Sequence, residues 1–195
     1  MSRRAETRRT TGETDVRAAV DLDGSGIATV STGVGFFDHM LTLLARHSLI
    51  DVQVEARGDL ETGSHHTVED VGITLGQAIA EALGDRAGIE RYGSAIVPMD
   101  ECLALAAIDL SGRPFTVLDV PLPATVIGGF ETELLPEFLR GLANHAGLTL
   151  HLRILAPGGV HHTLEASFKA VARALGTAVA PNPRVRGVPS TKGSL

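Results

Sequence analysis

The cluster His-His-Thr-X-Glu occurs twice in this chain of 195 residues, first in SHHTVED (64–70) and again in VHHTLEA (160–166). The two copies are 96 residues apart and contain four of the eight histidines. A motif that returns at about half the chain length indicates an internal duplication, which would determine the whole architecture. We therefore asked whether the flanking residues repeat as well.

Segments on the N-terminal side of each cluster do align. FFDHMLTLLARHSLIDVQV (36–54) matches LLPEFLRGLANHAGLTLHL (134–152), and this alignment places His39 opposite Glu137. Further upstream, ETDVRAAVDLDGSG matches ECLALAAIDLSGRP, which places Glu13 opposite Glu101. The sequence therefore predicts a duplicated half.

We predict one domain, residues 1–195, made of two repeats at about 10–92 and 93–182 and a C-terminal tail at 183–195. Each repeat should contain a hairpin, a helix, a strand and a second helix. The hairpins are expected to join DVRAAV to IATVST through a glycine turn, and CLALAAIDL to PFTVLDV through the turn SGR.

Two helices are predicted in each repeat from apolar residues at helical spacing. The first pair comprises FFDHMLTLLARHS and LLPEFLRGLANHA, where Gly147 would end the second helix; the other pair begins at the two histidine clusters. The strands IDVQVEA and LTLHLRIL lie between them and alternate apolar with polar residues. Strands on one face and helices on the other predict an α+β sandwich.

Composition excludes several classes of protein. The net charge is −6 and the pI is about 5.7, so no general basic surface is available for nucleic acid. Cys102 is the only cysteine, which excludes an intrachain disulfide and a thiolate metal site. The polar N-terminus and the lack of a long apolar run predict no membrane association, and we expect a soluble, cytoplasmic protein.

Helical spacing limits what each histidine cluster can bind. His65 is four residues before Glu69 and His66 is three before it, so either can share a helix face with the carboxylate. The adjacent histidines themselves diverge by roughly 100°. Two clusters would therefore supply ligands to two ions, and imidazole with carboxylate suits manganese, iron, zinc or nickel.

Each of these residues also has an ordinary structural interpretation. A histidine at a helix start is often a cap or a surface residue, although its repetition favours metal binding here. His39 lies among core residues and could instead hydrogen-bond to a carbonyl. Glu137 follows Pro136 and could be a common first-turn glutamate. The turn at 24–26 needs no role beyond chain reversal.

Several motifs together resemble one enzyme family. GVGFFDHML, SHHTVEDVGITLG, IDLSGRP, TLHLRIL, HHTLEASFKAVARAL and RGVPSTKGSL are similar to segments of imidazoleglycerol-phosphate dehydratases, and the resemblance extends from RRTTGETDV to the C-terminus. It implies dehydration of imidazole glycerol phosphate to imidazole acetol phosphate in histidine biosynthesis. It also implies two Mn²⁺ ions per active site, a duplicated fold similar to the second domain of ribosomal protein S5, and a homo-oligomer of 24 subunits.

The resemblance and the repeat suggest roles for individual residues. Glu13 matches a catalytic acid/base position, and Glu101 is its repeat partner. The expected metal ligands are His39, His65, His66, Glu69, Glu137, His161, His162 and Glu165. The expected substrate-binding residues are His47, Arg91, Arg113, Lys169, Ser190, Thr191 and Lys192.

One position departs from the family pattern. Several members have histidine where this chain has Glu137, so that either Glu137 or nearby His145 would supply the ligand. Arginine is a natural choice for the phosphate end of the substrate, because a guanidinium group can bind phosphate oxygens in a bidentate manner.

The reaction itself explains the need for two metal ions. The carbon that loses a proton has no neighbouring carbonyl, so the substrate ring must help by becoming an imidazolate that expels the hydroxyl group. Two alternatives use the same clusters: a binuclear metallohydrolase acting as a phosphatase, and a non-catalytic S5-like module that only binds metal.

Overall fold

The computed structural model describes residues 3–193 and residue 195. The first half contains β1 (Arg4–Thr10), β2 (Thr14–Asp21), β3 (Ala28–Ser31), α1 (Gly35–Ser48), β4 (Asp51–Gly58) and α2 (His65–Leu83). The second half contains β5 (Tyr92–Met99), β6 (Cys102–Asp109), β7 (Phe115–Asp119), β8 (Val126–Ile127), β9 (Phe130–Glu131), α3 (Leu134–Ala146), β10 (Thr149–Ala156) and α4 (Val160–Val179). The predicted α+β class is confirmed.

Two four-stranded sheets have the same strand order. The first is β1-β2-β4-β3 and the second is β5-β6-β10-β7, while β8 and β9 form a short ribbon in the segment that only the second half contains. In both sheets the third strand in this order, β4 or β10, lies antiparallel to one neighbour and parallel to the other. The two halves therefore share one topology.

The predicted hairpins are wrong in both halves. β4 lies between β2 and β3, and β10 lies between β6 and β7, so the strands on either side of each glycine-containing turn never pair. The observed hairpins are β1-β2 and β5-β6. The prediction failed at β1 because this edge strand, RAETRRT, has no apolar alternation: its inward-facing residues are Ala5, Thr7 and Arg9, all half-buried.

The four predicted helices are confirmed. In α1 the apolar positions are buried, and α3 ends at Gly147, which has the left-handed φ of 63° that glycine adopts without strain. The two longest helices begin at the histidine clusters. Val68, Leu75, Leu164 and Leu175 of their apolar stripes are all buried, as predicted.

Helices pack across the two repeats. α2 packs against α3, and α1 packs against α4, so each helix of the first half meets one of the second. The α2–α3 approach depends on Gly72, where a Cβ atom would lie 2.6 Å from the carbonyl oxygen of Phe138. Phe138 contacts Phe37 of the first half, with ring centroids 5.3 Å apart, and Phe168 of its own half, with ring centroids 5.4 Å apart. The core is therefore continuous between repeats.

Candidate metal centre and phosphate pocket

The first histidine cluster opens helix α2, and its two imidazoles point in different directions. His65 Nε2 lies 3.6 Å from Glu69 Oε2, one helical turn further along. His66 turns away, and its Nδ1 lies 3.1 Å from both carboxylate oxygens of Asp59. The hydrogen bond to Asp59 raises the pKa of His66. The two imidazoles thus have different partners, as the divergence of adjacent helix positions predicted. Their ring planes are 86° apart.

The second cluster repeats this geometry at the start of α4. His161 Nε2 lies 2.9 Å from Glu165 Oε1, and His162 Nδ1 lies 2.9 Å from Glu101 Oε2. The ring planes are 87° apart. The hydrogen bond to Glu101 raises the pKa of His162. Each cluster thus directs one imidazole along its own helix and the other toward a loop carboxylate.

Glu165 contacts side chains from both halves of the chain. His39 of α1 approaches the same oxygen as His161, with Nε2 3.1 Å from Oε1. Lys169 Nζ donates to the other oxygen, Oε2, at 2.6 Å. Imidazole nitrogens from α1 and α4 therefore converge on one carboxylate oxygen of Glu165.

Glu165 carries a negative charge, which can attract a cation. Burial would raise its pKa, but hydrogen bonds from Lys169, His39 and His161 outweigh burial and bring the pKa to about 2. The residue is 7% exposed, so its charge depends on these partners rather than on water. The carboxylate is ionised throughout the physiological pH range.

Two predicted substrate-binding residues lie beside this cluster rather than in a phosphate pocket. Lys169 is bound to Glu165, as described above. His47 is half-buried, and burial, followed by the positive charges of Lys169 and Arg173, lowers its pKa. These surroundings favour the neutral imidazole of His47 over the charged form.

The repeat partners Glu13 and Glu101 have different surroundings. Glu13 is exposed in the β1-β2 turn, with Oε1 3.8 Å from His66 Nε2. Glu101 accepts hydrogen bonds from the backbone N–H of Gly159 at 2.7 Å and from His162, and these two interactions bring its pKa to about 2. Sequence alignment alone did not separate the two glutamates.

Two carboxylates near the histidines were missed from the sequence. Asp59 lies directly after β4, seven residues before His66. Asp100 lies in the β5-β6 turn with a positive φ of 49°. Asp100, Glu101 and His162 each offer one ligand atom within 4.8 Å of the others. The only sequence signal was their position in loops that adjoin the clusters.

Glu137 and His145 both have their hydrogen-bond partners within α3. Glu137 pairs with Arg140 one turn further along α3, at 2.8 Å. His145 Nδ1 donates to the carbonyl oxygen of Gly141 at 2.9 Å, which leaves Nε2 with a lone pair. Among the described residues, neither side chain forms a hydrogen bond or ion pair with a histidine or a glutamate of the clusters.

A separate cationic pocket of about 560 Å³ brings together the other five predicted substrate-binding residues. It is lined by Arg91, Tyr92, Arg113, Pro189, Ser190, Thr191 and Lys192. Arg91 is held by both oxygens of Asp109, at 2.7 and 3.2 Å, and by the carbonyl oxygen of Pro189. This support orients the tail residues around the guanidinium group, and the pocket can bind a phosphate group.

The chain was compared with known proteins. The family model "Imidazoleglycerol-phosphate dehydratase" matches residues 32–175. Proteins of that name from Acetivibrio thermocellus and Dinoroseobacter shibae are 55% and 58% identical to this chain over 100% and 99% of its length, and the matches cover each relative completely.

A solved structure agrees with the sequence relatives. The crystal structure of imidazoleglycerol-phosphate dehydratase from Staphylococcus aureus subsp. aureus N315 is 38% identical and superimposes with a TM-score of 0.83, covering 92% of this chain and 99% of that one. No helix in the described part of this chain has the length and apolar character needed to cross a membrane. By sequence and by fold, the chain belongs to the imidazoleglycerol-phosphate dehydratase family.

Proposed function

We propose that this hydro-lyase, which dehydrates imidazole glycerol phosphate to imidazole acetol phosphate in histidine biosynthesis, works with two Mn²⁺ ions held by its histidine clusters. The observation that supports this most directly is the convergence of His39 and His161 on one oxygen of Glu165. Helices from both repeats supply these atoms, so the folded, duplicated chain is required to assemble them.

The donor set fits manganese. Imidazole nitrogen and carboxylate oxygen both bind this ion, whereas thiolate would favour zinc, copper or iron–sulfur chemistry. Cys102 is buried, and its thiol lies 3.7 Å from the Thr163 hydroxyl. The proposed ligands remain the eight predicted ones, and Glu137 would have to exchange Arg140 for the ion.

When bound, the two ions would supply Lewis-acid stabilisation to the substrate imidazole as it loses its N–H proton. The chain would supply the remaining functions. Glu13 is exposed and faces His66 Nε2, so it can reach a bound substrate and transfer a proton. Arg91 and Arg113, with Lys192, would hold the phosphate group of the substrate.

We also propose that the enzyme is a homo-oligomer, with the 24 subunits that the resemblance implies, and that it works in the cytoplasm without nucleic-acid or membrane partners. The outer face of the second sheet supports assembly, because it exposes apolar side chains where the first sheet carries charged ones. The first carries ion pairs such as Arg4–Asp21 and Arg8–Asp15. The second sheet exposes Ile96 at 60% and Phe115 at 63%, and a second copy of the chain could cover these side chains.

Assembly can be tested by native mass spectrometry. Ile96→Lys should reduce the oligomeric mass, because a charge in an apolar contact costs desolvation. Gln53→Lys places the same side chain on the exposed face of the first sheet and should leave the mass unchanged. An unchanged mass for Ile96→Lys would argue against this face as a contact.

The metal proposal is tested by chelation followed by the return of single metals. Metal-free enzyme should form no ketone product from imidazole glycerol phosphate, and Mn²⁺ should restore turnover with two ions bound per site. Release of inorganic phosphate without ketone would instead indicate the binuclear hydrolase. Tight metal binding without any turnover would indicate a metal-binding module.

A further inference from the structure

We propose that Asp59 and Glu101 are positioning residues with the same role, in which each holds one metal-binding histidine with its Nδ1 protonated and its Nε2 lone pair free. The assignment rests on the proposed metal-binding role of His66 and His162. A consequence is that Glu101 is not a second copy of the acid/base Glu13, although the repeat aligns them.

The contact at His66 defines its tautomer. A carboxylate can only accept, so the two 3.1 Å contacts with Asp59 require that His66 Nδ1 donates. In a neutral imidazole the other nitrogen then carries the lone pair that a metal needs. Asp59 is itself held, because the Thr62 hydroxyl lies 2.9 Å from its Oδ2.

The contact at His162 has the same effect from a different loop. Glu101 Oε2 accepts from His162 Nδ1 at 2.9 Å, and its Oε1 accepts from the Gly159 N–H at 2.7 Å. Both oxygens are therefore engaged, and Glu101 joins the β5-β6 turn to the start of α4. A group tied in this way is poorly placed to carry a proton to a substrate.

The sequence explains why the two halves use different loops. With the 96-residue offset of the histidine clusters, Asp59 falls on Leu155, and the neighbouring residues Ala156 and Pro157 are not acidic either. The second half thus has no carboxylate at the equivalent place, and Glu101 supplies one from the β5-β6 turn. In the first half Asp59 already occupies Nδ1, which leaves Glu13 free at 3.8 Å from Nε2.

The assignment can be tested without measuring turnover. The affinity for Mn²⁺ is measured by titration, with free Mn²⁺ detected by EPR. Asp59→Ala and Glu101→Ala should each lower the affinity for one of the two Mn²⁺ ions by about 10- to 100-fold. This is the usual effect of removing a carboxylate that hydrogen-bonds to a metal-bound histidine. Asp59→Asn should recover most of the loss, because its amide oxygen can still accept from Nδ1. Glu61→Ala, an exposed carboxylate two residues away, is the matched control and should bind as the parent does.

Glu13→Gln separates the two glutamates. It should retain Mn²⁺ within about threefold of the parent, while turnover falls by roughly 10²- to 10⁴-fold, as expected for loss of an acid/base. Parent-like affinity in Asp59→Ala and Glu101→Ala would overturn the assignment, as would an Asp59→Asn variant as weak as Asp59→Ala. If the parent protein itself bound no Mn²⁺, the proposed function would fail instead.

Discussion

Replacement of Asp70 offers a test of how the first repeat is held together. Asp70 lies on α2, one residue after Glu69, and its side chain is 9% exposed. It accepts a hydrogen bond from Arg9 of β1 at 2.7 Å and a short one from the Thr14 hydroxyl of β2. Asp70 therefore joins the helix to both strands of the first hairpin, whose turn carries Glu13.

Asp70→Ala should lower the free energy of unfolding by about 3 kcal/mol. Loss of one partner of a buried ion pair costs about 3–5 kcal/mol, and the lower end applies because the Arg9 side chain is 39% exposed and can return to water. In a chain of this length the midpoint of thermal unfolding should fall by roughly 6–12 °C. Denaturation must be compared at one protomer concentration, because the proposed assembly would shift apparent stability.

The second repeat supplies the control for this experiment. The residues equivalent to Arg9, Thr14 and Asp70 there are Val97, Cys102 and Ala166, and all three are buried. The triple variant Arg9→Val, Thr14→Cys, Asp70→Ala should therefore regain stability to within about 1 kcal/mol of the parent, since an apolar set can replace a buried ionic one. A single Asp70→Ala variant within about 1 kcal/mol of the parent, or a triple variant no better than the single one, would refute the reasoning.

Three further predictions concern the site. Arg113→Ala should raise the KM for the substrate with metal content unchanged; equal substrate affinity in mutant and parent would remove Arg113 from the phosphate pocket. Glu165→Ala should release one metal ion, measured by elemental analysis, because His39 and His161 lose the oxygen they share; full occupancy would contradict the shared site. Glu137→Ala should also empty one site, with Glu137→His retaining the ion and His145→Ala keeping normal metal content; the opposite pattern would make His145 the ligand.

Regular, locally coded features were predictable from the sequence. The four helices follow from apolar spacing, and the divergence of His65, toward Glu69, from His66, toward Asp59, follows from helical geometry. Strand pairing was not predictable, because which strands become neighbours depends on contacts between distant segments. β1 carries almost no apolar signal, and β4 enters between two strands that the local glycine turn was expected to join.

The candidate site was predictable only as far as the repeat is symmetric. The convergence of His39 on Glu165 needed the α1–α4 packing, which no local pattern encodes. The symmetric expectation fails elsewhere: Glu137 pairs with Arg140, whereas the residue equivalent to Arg140 in α1 is Thr42, which cannot form an ion pair with His39. Charges specific to one half decide such details.

Because helices pack across the repeats, residues of both repeats contribute to the same candidate site. If α1 packed against α2 of its own half, each half would hold its own histidines and glutamates together, and a single repeat could form a site by itself. Instead α1 contacts α4, so His39 of one half and Glu165 of the other complete one another. Topology and helix starts must then remain alike in both halves, since they set this geometry. The side chains near the helix starts are free to differ between the halves. Asp70 with its partners Arg9 and Thr14 has no charged equivalent in the second half, and Asp59 and Glu101 come from different loops.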